Sequence, residues 1–558
     1  MEQVLYYNGT IITMENREAP YAEAVLTENG RIKDRGSFSR LREAAGRDAR
    51  LADLQGAAMI PGFIDPHSHF TACAGKFMEA DLSEARSFSD IVRIVREFIR
   101  ESGAAPGQWV TASDYDHNRL EEGNHPGRRV LDEAAPENPL VVKHQSGHMG
   151  SFNTQALGLL GVEADTSSPE GGRIEKEGGS GEPTGYMEEN AFVAYLKKVP
   201  MPSVSAYLEA YGRAQALYAS HGITTAQEGM MPIDLAPLYK ALIASGILKL
   251  DIVGYGDIAQ GDAIREAFPE HVGEYRQHFK LGGYKIFLDG SPQGRTAWMR
   301  RPYEPIKGQP ADYCGYGTMT DQAVMDAIYK SLNDGMQLLA HCNGDGACEQ
   351  YLSCWERAGA DQSVSAGGFP GPEASAGAGI LPRAGSARPV MVHAQLLGLD
   401  QLPRLKPLGM IPSFFAAHVY HWGEDHVRNF GWERASRISP AGSALALGIP
   451  FTLHQDSPVI RPDMIETLWC AANRRTRTGR VLGEAERIPV WDALRAVTAN
   501  GAWQYFEEGE KGTISPGKQA DFAILSGDPL KTDPEALRDI QVLAAVKAGE
   551  VIWAMPDA

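Results

Sequence analysis

Cysteine is scarce in this sequence, and no two cysteines form a Cys-x-x-Cys pair. Only six occur among 558 residues: Cys73, Cys314, Cys342, Cys348, Cys354 and Cys470. The missing pair argues against a zinc ribbon or a thioredoxin-like redox site. Scattered cysteines in a long chain are typical of a reducing compartment, so we expect a cytoplasmic protein.

An excess of positive charge is also missing. The chain has 53 basic and 71 acidic residues and a formal net charge of −18. Proteins that bind nucleic acid or anionic membrane surfaces usually present a basic face, so both partner classes are disfavoured. The charge says little about a small substrate, because the local field in a cleft can oppose the net charge.

Long apolar runs are absent too. No stretch approaches about 18 apolar residues in a row, the length that a membrane-spanning helix needs. The first twenty residues lack the basic segment and apolar run of a secretory signal. We therefore expect neither a membrane span nor a cleaved leader.

The composition is that of an ordinary globular protein, with 43% hydrophobic and 22% charged residues. The length exceeds that of one common domain, but a (β/α)8 barrel takes about 250 residues and tolerates long insertions. One large barrel with a smaller domain would account for the chain.

Both ends of the chain have β-strand character. At the N-terminus, Asn8-Gly9 lies between two β-prone runs, a pattern that predicts a hairpin. Residues 520–525 and 542–553 have a similar pattern at the C-terminus. Because chain termini often lie close together, we predict a composite β-domain made of residues 1–57 and 506–558.

Between the ends, strand-like runs alternate with helical ones, which predicts a parallel α/β fold over residues 58–505. The predicted helices are 88–102, 205–221 and 321–334. The predicted strands include 59–60, 109–112, 140–143, 224–226, 250–253, 284–287, 337–340, 389–392 and 451–453. A Gly-rich charged stretch at 171–184 indicates a loop, and the Gly-, Ala-, Ser- and Pro-rich stretch at 359–388 indicates a flexible insertion.

One motif carries the strongest chemical signal. The run from Pro61 ends in His67-Ser68-His69, with Asp65 two residues before the first histidine. On an extended strand the side chains at i and i+2 point to the same side, so the two imidazoles can bind one cation. The alternative is a chance pair with a structural or solvent-facing role.

Taken together, the motifs resemble the amidohydrolase superfamily and, within it, the YtcJ-like branch (amidohydrolase family 3). The resemblance covers nearly the whole chain. The segments that carry it are Asn8-Gly9, Thr13-Met14, residues 61–69, Gly147-His148, 183–185, 222–224, 285–290, 341–345, 393–395, 456–459, 512–514, 516–518 and 520–521. It implies a (β/α)8 TIM barrel with a small β-sandwich domain formed from both chain termini.

The resemblance also implies a metal centre at the carboxyl ends of the barrel strands, with one or two divalent ions, zinc being expected. The implied ligands are His67, His69, Lys285, His341, His393 and Asp456. Lys285 would be carboxylated and bridge two ions. The alternative for Lys285 is a structural lysine that reaches solvent or pairs with Asp289. The alternative for His341 and His393 is a structural role, because a lone histidine on an apolar strand is ordinarily a core residue.

Three residues are candidates for catalysis. Asp456 matches a family position that binds metal and carries protons, and His418 and His148 could contact the substrate; Glu189 is a weaker candidate. The last three residues could equally be structural. The sequence departs from the family pattern at three places, listed here with the residues present: Cys342, Val392 and His454-Gln455.

The implied reaction is hydrolysis of a non-peptide C–N bond of amide type in a small molecule, and the resemblance makes a homodimer an expectation. Two alternatives stay open. The same scaffold supports esterases, lactonases and deaminases, because a fold does not fix a function. A regulatory or binding protein without catalysis is the other, although every implied metal position is filled.

Overall fold

The computed structural model of the protein describes residues 2–145, 148–200, 202–360 and 387–556. The chain divides into two compact units: Met1–Phe70 with Ala214–Ala558, and Thr71–Arg213. Most of the insertion predicted at 359–388 lies outside the described residues. The predicted domain boundaries at 57/58 and 505/506 stay a prediction.

The larger unit contains a curled sheet of eight parallel strands. Each strand pairs in parallel with the next along the chain. In chain order they are Phe63–Ile64, Ile223–Met231, Asp251–Asp257, Phe279–Phe287, Gln337–Cys342, Val390–His393, Ile411–Phe414 and Thr452–Leu453. The strands are almost entirely buried, as expected where helices cover a parallel sheet. The predicted parallel α/β fold is confirmed, and we refer to these strands as the first to the eighth.

Backbone hydrogen bonds connect the two ends of this sheet just beyond its first and eighth strands. The amide of His69 donates to the carbonyl of Ser457 at 2.8 Å, and the amide of Asp456 donates to the carbonyl of His67 at 3.3 Å. The segments that follow the first and last strands are therefore neighbours.

Helices alternate with the strands. In the larger unit the α-helices are Phe38–Ala44, Ala236–Ser245, Gly261–Ala267, Asp321–Asn333, Asp345–Ala360, Leu402–Leu408, His418–Ala435, Ala441–Ala446, Met464–Asn473, Val490–Ala496 and Ala499–Gln504. Short 3-10 turns cover Ile233–Leu235, Ile258–Gln260, Pro269–His271, Glu484–Glu486 and Pro534–Asp539. Across the described ranges, no helix has the length and apolar character needed to cross a membrane.

Strands from both chain termini form two further sheets. One contains, in order, Arg31–Gly36, Ala24–Glu28, Gln3–Tyr7 and Arg50–Asp53; the other contains Glu550–Ala554, Val542–Lys547, Phe522–Leu525, Ala58–Pro61, Thr10–Ile12 and Tyr21–Ala22. Val4 and Val25 of the first sheet share one hydrophobic cluster with Met59 and Phe522 of the second. This shared cluster is consistent with the predicted β-sandwich, which stays a prediction.

The hairpin predicted at Asn8-Gly9 is wrong. The strands on either side, Gln3–Tyr7 and Thr10–Ile12, belong to different sheets and do not pair with each other. A Cβ atom on Gly9 would lie 2.5 Å from the carbonyl oxygen of Ala57, so this glycine allows a close backbone approach. The turn passes the chain from one sheet to the other.

The smaller unit has its own sheet. Its strands, in spatial order, are Gly172–Lys176, Pro183–Glu189, Met149–Phe152, Leu140–His144, Val110–Tyr115 and Ala80–Asp81. The helices Phe88–Ser102, Arg128–Ala134, Thr154–Leu160 and Asn190–Leu196 lie within this unit, and Phe70–Lys76 and Val204–Ser220 span its boundaries. The strands predicted at 109–112 and 140–143 thus belong to this sheet and not to the eight-stranded one. The loop predicted at 171–184 is partly wrong, because strand Gly172–Lys176 pairs with Pro183–Glu189.

A buried ionic cluster lies at the amino end of the third strand. The carboxylate of Asp251 accepts from Nζ of Lys511 and Nζ of Lys547, each at 2.6 Å, and from Nδ1 of His278 at 2.9 Å. Burial alone would raise the pKa of Asp251. The positive charges of the two lysines outweigh this effect and keep the pKa well below its ordinary value. Because Lys547 lies in a C-terminal strand, the cluster joins the parallel sheet to a terminal sheet.

Asp251→Asn should destabilise the protein by about 2–4 kcal/mol, because it keeps the shape of the side chain but removes one of the two buried carboxylates that pair with each lysine; Lys511 keeps Glu507 and Lys547 keeps Asp521. The midpoint of urea unfolding measures the effect. Asp262→Asn is the matched control: its carboxylate pairs with Lys330 but is 75% exposed, so the loss should stay below about 1 kcal/mol. Equal midpoints for the two variants would contradict the prediction.

Candidate metal centre

The six predicted metal ligands lie at the carboxyl ends of strands of the parallel sheet. His67 and His69 follow the first strand, and Asp456 follows the eighth. Lys285, His341 and His393 lie in the last three residues of the fourth, fifth and sixth strands, respectively. In barrel enzymes this edge of the sheet carries the active site. The residue roles themselves stay predictions; the structure gives the distances between the side chains.

His67, His69 and Asp456 form the tightest group. Oδ1 of Asp456 lies 3.4 Å from Nε2 of His67 and 3.4 Å from Nε2 of His69. Their potential ligand atoms all lie within 4.8 Å of one another. This contact depends on the backbone hydrogen bonds that hold residues 67–69 beside residues 456–457.

Lys285 is fully buried within the fourth strand. Its Nζ lies 3.3 Å from Nε2 of His67, and no salt bridge of this lysine occurs within the described ranges. The predicted alternative pairing with Asp289 is not formed, because that carboxylate contacts His341 instead. Burial lowers the pKa of Lys285 to about 7, so a substantial fraction of the amine is neutral near neutral pH.

His393 and His341 complete the group. Nε2 of His393 lies 3.9 Å from Oδ2 of Asp456. The rings of His341 and His393 are edge to face, with centroids 4.6 Å apart. Burial and neighbouring positive groups hold the pKa of His393 well below its ordinary value, so its ring is neutral and can act as a ligand.

Hydrogen bonds fix the orientation of His67. Nε2 of Gln227 donates to the carbonyl of Pro66 at 2.7 Å and to the hydroxyl of Tyr505 at 2.9 Å. Oε1 of Gln227 is therefore the acceptor for Nδ1–H of His67, at 2.6 Å. This bond places the ring proton on Nδ1 and leaves Nε2 of His67 unprotonated, 3.4 Å from Oδ1 of Asp456 and 3.3 Å from Nζ of Lys285.

The other two strand histidines are held through the same ring nitrogen. Nδ1 of His393 lies 3.1 Å from Nε2 of His454, and Nδ1 of His454 lies 2.9 Å from Oγ of Ser413. Nδ1 of His341 donates to Oδ1 of Asp289 at 3.2 Å. Partners of this kind typically set the tautomer and direction of a metal-bound histidine.

The residues fit a divalent cation. Oδ1 of Asp456 is buried and accepts no hydrogen bond from the described residues. Although burial opposes it, the contact with His69 and the nearby His454 and Lys285 lower the pKa of Asp456, which keeps it a carboxylate. A buried carboxylate among imidazoles is the donor chemistry that zinc and similar ions prefer.

His418, His148 and Glu189 lie outside this group. His418 is buried, its Nδ1 lies 3.0 Å from Nε2 of His426, and its ring packs on Phe415, which also contacts His393. Nδ1 of His148 lies 3.2 Å from Oε2 of Glu189 within the smaller unit. The predicted catalytic roles of His418 and His148 stay predictions.

Several supporting residues were not predicted as part of the site. Gln227 belongs to no motif and lies in the middle of the second strand. Asp289 lies in the 285–290 segment and was considered only as a partner of Lys285. His454 was seen only as a departure from the family pattern, yet it contacts His393. Its position two residues before Asp456, which places both beyond the eighth strand, was the available signal.

Comparison with known proteins identifies related chains. The model of the family described as "Amidohydrolase family" matches residues 50–553. YtcJ of Bacillus subtilis (strain 168) is 26% identical over 567 residues, covering 99% of both chains. N-substituted formamide deformylase of Arthrobacter pascens is 28% identical over 564 residues, covering 97% of both chains.

A solved structure has the same fold. An uncharacterized metal-dependent hydrolase from Pyrococcus furiosus superposes with a TM-score of 0.75 at 22% identity, over 95% of this chain and 100% of that one. At this identity the likeness concerns the fold.

Gln227→Leu should weaken metal binding by about 10–100-fold, because His67 would lose the acceptor that orients its ring. Competition with a chelator of known affinity measures the change. Gln215→Leu is the matched control: this buried glutamine accepts from the amide of Lys249 at 2.6 Å, away from the ligands, and its loss should leave metal affinity unchanged. Unaltered affinity in Gln227→Leu would contradict the orienting role.

Proposed function

Since the chain belongs to the amidohydrolase family, we propose that it is a metal-dependent hydrolase that cleaves a non-peptide C–N bond of amide type. The observation that carries the proposal is the convergence of His67, His69, Lys285, His393 and Asp456 at one edge of the parallel sheet. In this proposal the eight strands form a complete (β/α)8 barrel within residues 58–505. Residues 1–57 and 506–558 form the β-sandwich, into which strand Ala58–Pro61 also pairs.

The substrate class that we propose is a small N-formyl or N-acyl amine. The similarity to an N-substituted formamide deformylase over 97% of this chain supports this choice. The reaction adds water to the amide and releases an amine and a carboxylic acid. The finer substrate identity depends on loops that differ among relatives of this kind.

The proposed ligands of one or two divalent ions, with zinc preferred, are His67, His69, Lys285, His341, His393 and Asp456. When bound, such an ion lowers the pKa of water and polarises a carbonyl oxygen. Gln227, His454 and Asp289 hold three of the histidines through Nδ1, so each Nε2 is the nitrogen that would bind an ion. Binding would replace the contact of Nε2 of His341 with Nδ2 of Asn343, at 3.2 Å. The protein thus supplies preoriented imidazoles.

We propose that Lys285 is carboxylated. Its neutral amine would attack carbon dioxide, form an N–C bond and release one proton, leaving a carbamate with one negative charge. Burial of the amine and its pKa near 7 support this step, because only the uncharged form is nucleophilic. The carbamate would also turn a costly buried cation into an anion beside the cation site.

Asp456 is the proposed general base and acid. Its carboxylate would accept a proton from the attacking water and donate it to the nitrogen of the departing amine. The absence of a hydrogen bond to Oδ1 among the described residues supports this role, since the oxygen is open to a ligand. His418 is a proposed hydrogen-bond donor to the substrate oxygen.

Removal of the metal should abolish hydrolysis of N-formyl amines. Protein treated with chelator should lose at least about a hundredfold in kcat/KM, and zinc with bicarbonate should restore it. Release of amine is the readout, with the ester analogues of the same acids as controls. Turnover of the esters without any turnover of the amides would contradict the proposed bond specificity, and full activity of the metal-free protein would contradict the metal dependence.

Asp456→Asn should retain metal but lose about 10²–10⁴-fold in kcat, because the amide cannot carry the proton. Metal content by elemental analysis and turnover are measured on the same sample. Asp463→Asn is the matched control, since Asp463 accepts from the amide of Glu466 at a helix start and asparagine can do the same. Full activity of Asp456→Asn would exclude the proton-transfer role.

A further inference from the structure

A second group of metal-ligating side chains lies wholly within the smaller unit. Strands Val110–Tyr115 and Leu140–His144 are parallel neighbours, and Tyr115 is paired with His144 at their ends. Asp116 and His117 follow directly after the first of these strands. The carboxyl ends of two adjacent parallel strands therefore present one carboxylate and two imidazoles together, at the edge where α/β sheets commonly bind ligands.

Three distances define the group. Nδ1 of His117 lies 3.2 Å from Nε2 of His144. Oδ1 of Asp116 lies 3.8 Å from Nε2 of His144 and 3.9 Å from Nδ1 of His117. The three atoms thus form a triangle with nearly equal sides.

That triangle is close to one face of a zinc coordination sphere. Tetrahedral zinc with bonds of about 2.0–2.2 Å to nitrogen and oxygen holds its ligand atoms about 3.3–3.6 Å apart. The observed distances of 3.2–3.9 Å differ from this range by a few tenths of an ångström. Ordinary side-chain rotations would therefore be enough to admit one ion.

The surrounding residues hold the triangle in place. The ring of His125 packs on that of His117, with centroids 4.1 Å apart, and its Nδ1 bonds the hydroxyl of Tyr115 at 2.8 Å. The other face of His125 stacks on Tyr186. Oδ1 of Asp116 accepts from the amide of Asn118 at 2.9 Å, which fixes the carboxylate.

The group is also accessible. The side chains of His144, Asp116 and His117 are 7%, 15% and 28% exposed, respectively. One side of the triangle can therefore be reached by an ion and can keep a water molecule as a fourth ligand. With neutral imidazoles the three ligands carry one negative charge, which favours a cation.

We propose that Asp116, His117 and His144 bind a divalent transition metal of the zinc class, with one coordination position left to solvent. Two histidines and one carboxylate with an open position are a common ligand set for zinc. The proposal does not depend on the hydrolase function, because none of its ligands belongs to the other metal centre. The competing explanation is a hydrogen-bonded His117–His144 pair without an ion.

Zinc content of the full-length protein tests the proposal. Wild type and the single variants Asp116→Asn, His117→Gln and His144→Gln are equilibrated in zinc buffered by a chelator and analysed for zinc per chain. Each variant should hold one equivalent fewer than wild type, through affinity at least about tenfold weaker. Asp116→Asn guards against misfolding, because asparagine can still accept from the amide of Asn118.

His271→Gln is the matched control, since His271 belongs to neither group of candidate ligands and its ring nitrogens bond none of the described residues; it should keep the wild-type zinc content. Equal zinc in wild type and all three ligand variants would overturn the proposal. So would loss of the equivalent in His271→Gln alone, which would assign the ion to a different residue. If the metal centre of the hydrolase proposal bound no zinc, the zinc content of wild type and of every variant would fall by the same amount. The difference between wild type and the three ligand variants would remain.

Discussion

The proposed metal centre of the larger unit depends on the hydrogen bonds that join the two ends of its parallel sheet. The amides of His69 and Asp456 donate to carbonyls across this junction. Residues almost 390 positions apart in sequence thereby become neighbours, and their side chains meet at 3.4 Å. Every other proposed ligand is placed by strand order alone, because adjacent parallel strands end at the same edge.

Such a centre is costly for the folded protein. Lys285, His67 and Asp456 are polar groups taken out of water, and each loses hydration that the protein must replace. Hydrogen bonds to Nδ1 of the histidines replace part of it. Among the described residues, however, Oδ1 of Asp456 accepts no hydrogen bond and the amine of Lys285 forms no ion pair. A bound cation would satisfy these atoms, so the geometry couples metal binding to stability.

The sequence predicted those features that depend on residues close together in the chain. The spacing of His67 and His69 predicted convergent imidazoles, and helix periodicity located Asp321–Asn333 to within one residue. It was uninformative where the partner is remote: Gln227 has no motif, and its role exists only because it lies against His67. The Asn8-Gly9 turn failed for the same reason. Local turn propensity cannot tell a hairpin from a crossing between sheets, since both need the same backbone.

The same limit explains the smaller unit. The strands at 109–112 and 140–143 were predicted from their local sequence. The sequence of a parallel strand does not indicate which sheet the strand joins, and these two pair with each other in the smaller unit. Local patterns do predict where a strand ends, because the chain changes direction there and polar side chains replace apolar ones. In both units the proposed metal ligands lie at such ends, because parallel pairing brings carboxyl ends together whichever sheet the strands enter. A histidine or carboxylate directly after a buried strand is therefore a better guide to a cation site than the assignment of that strand to a domain.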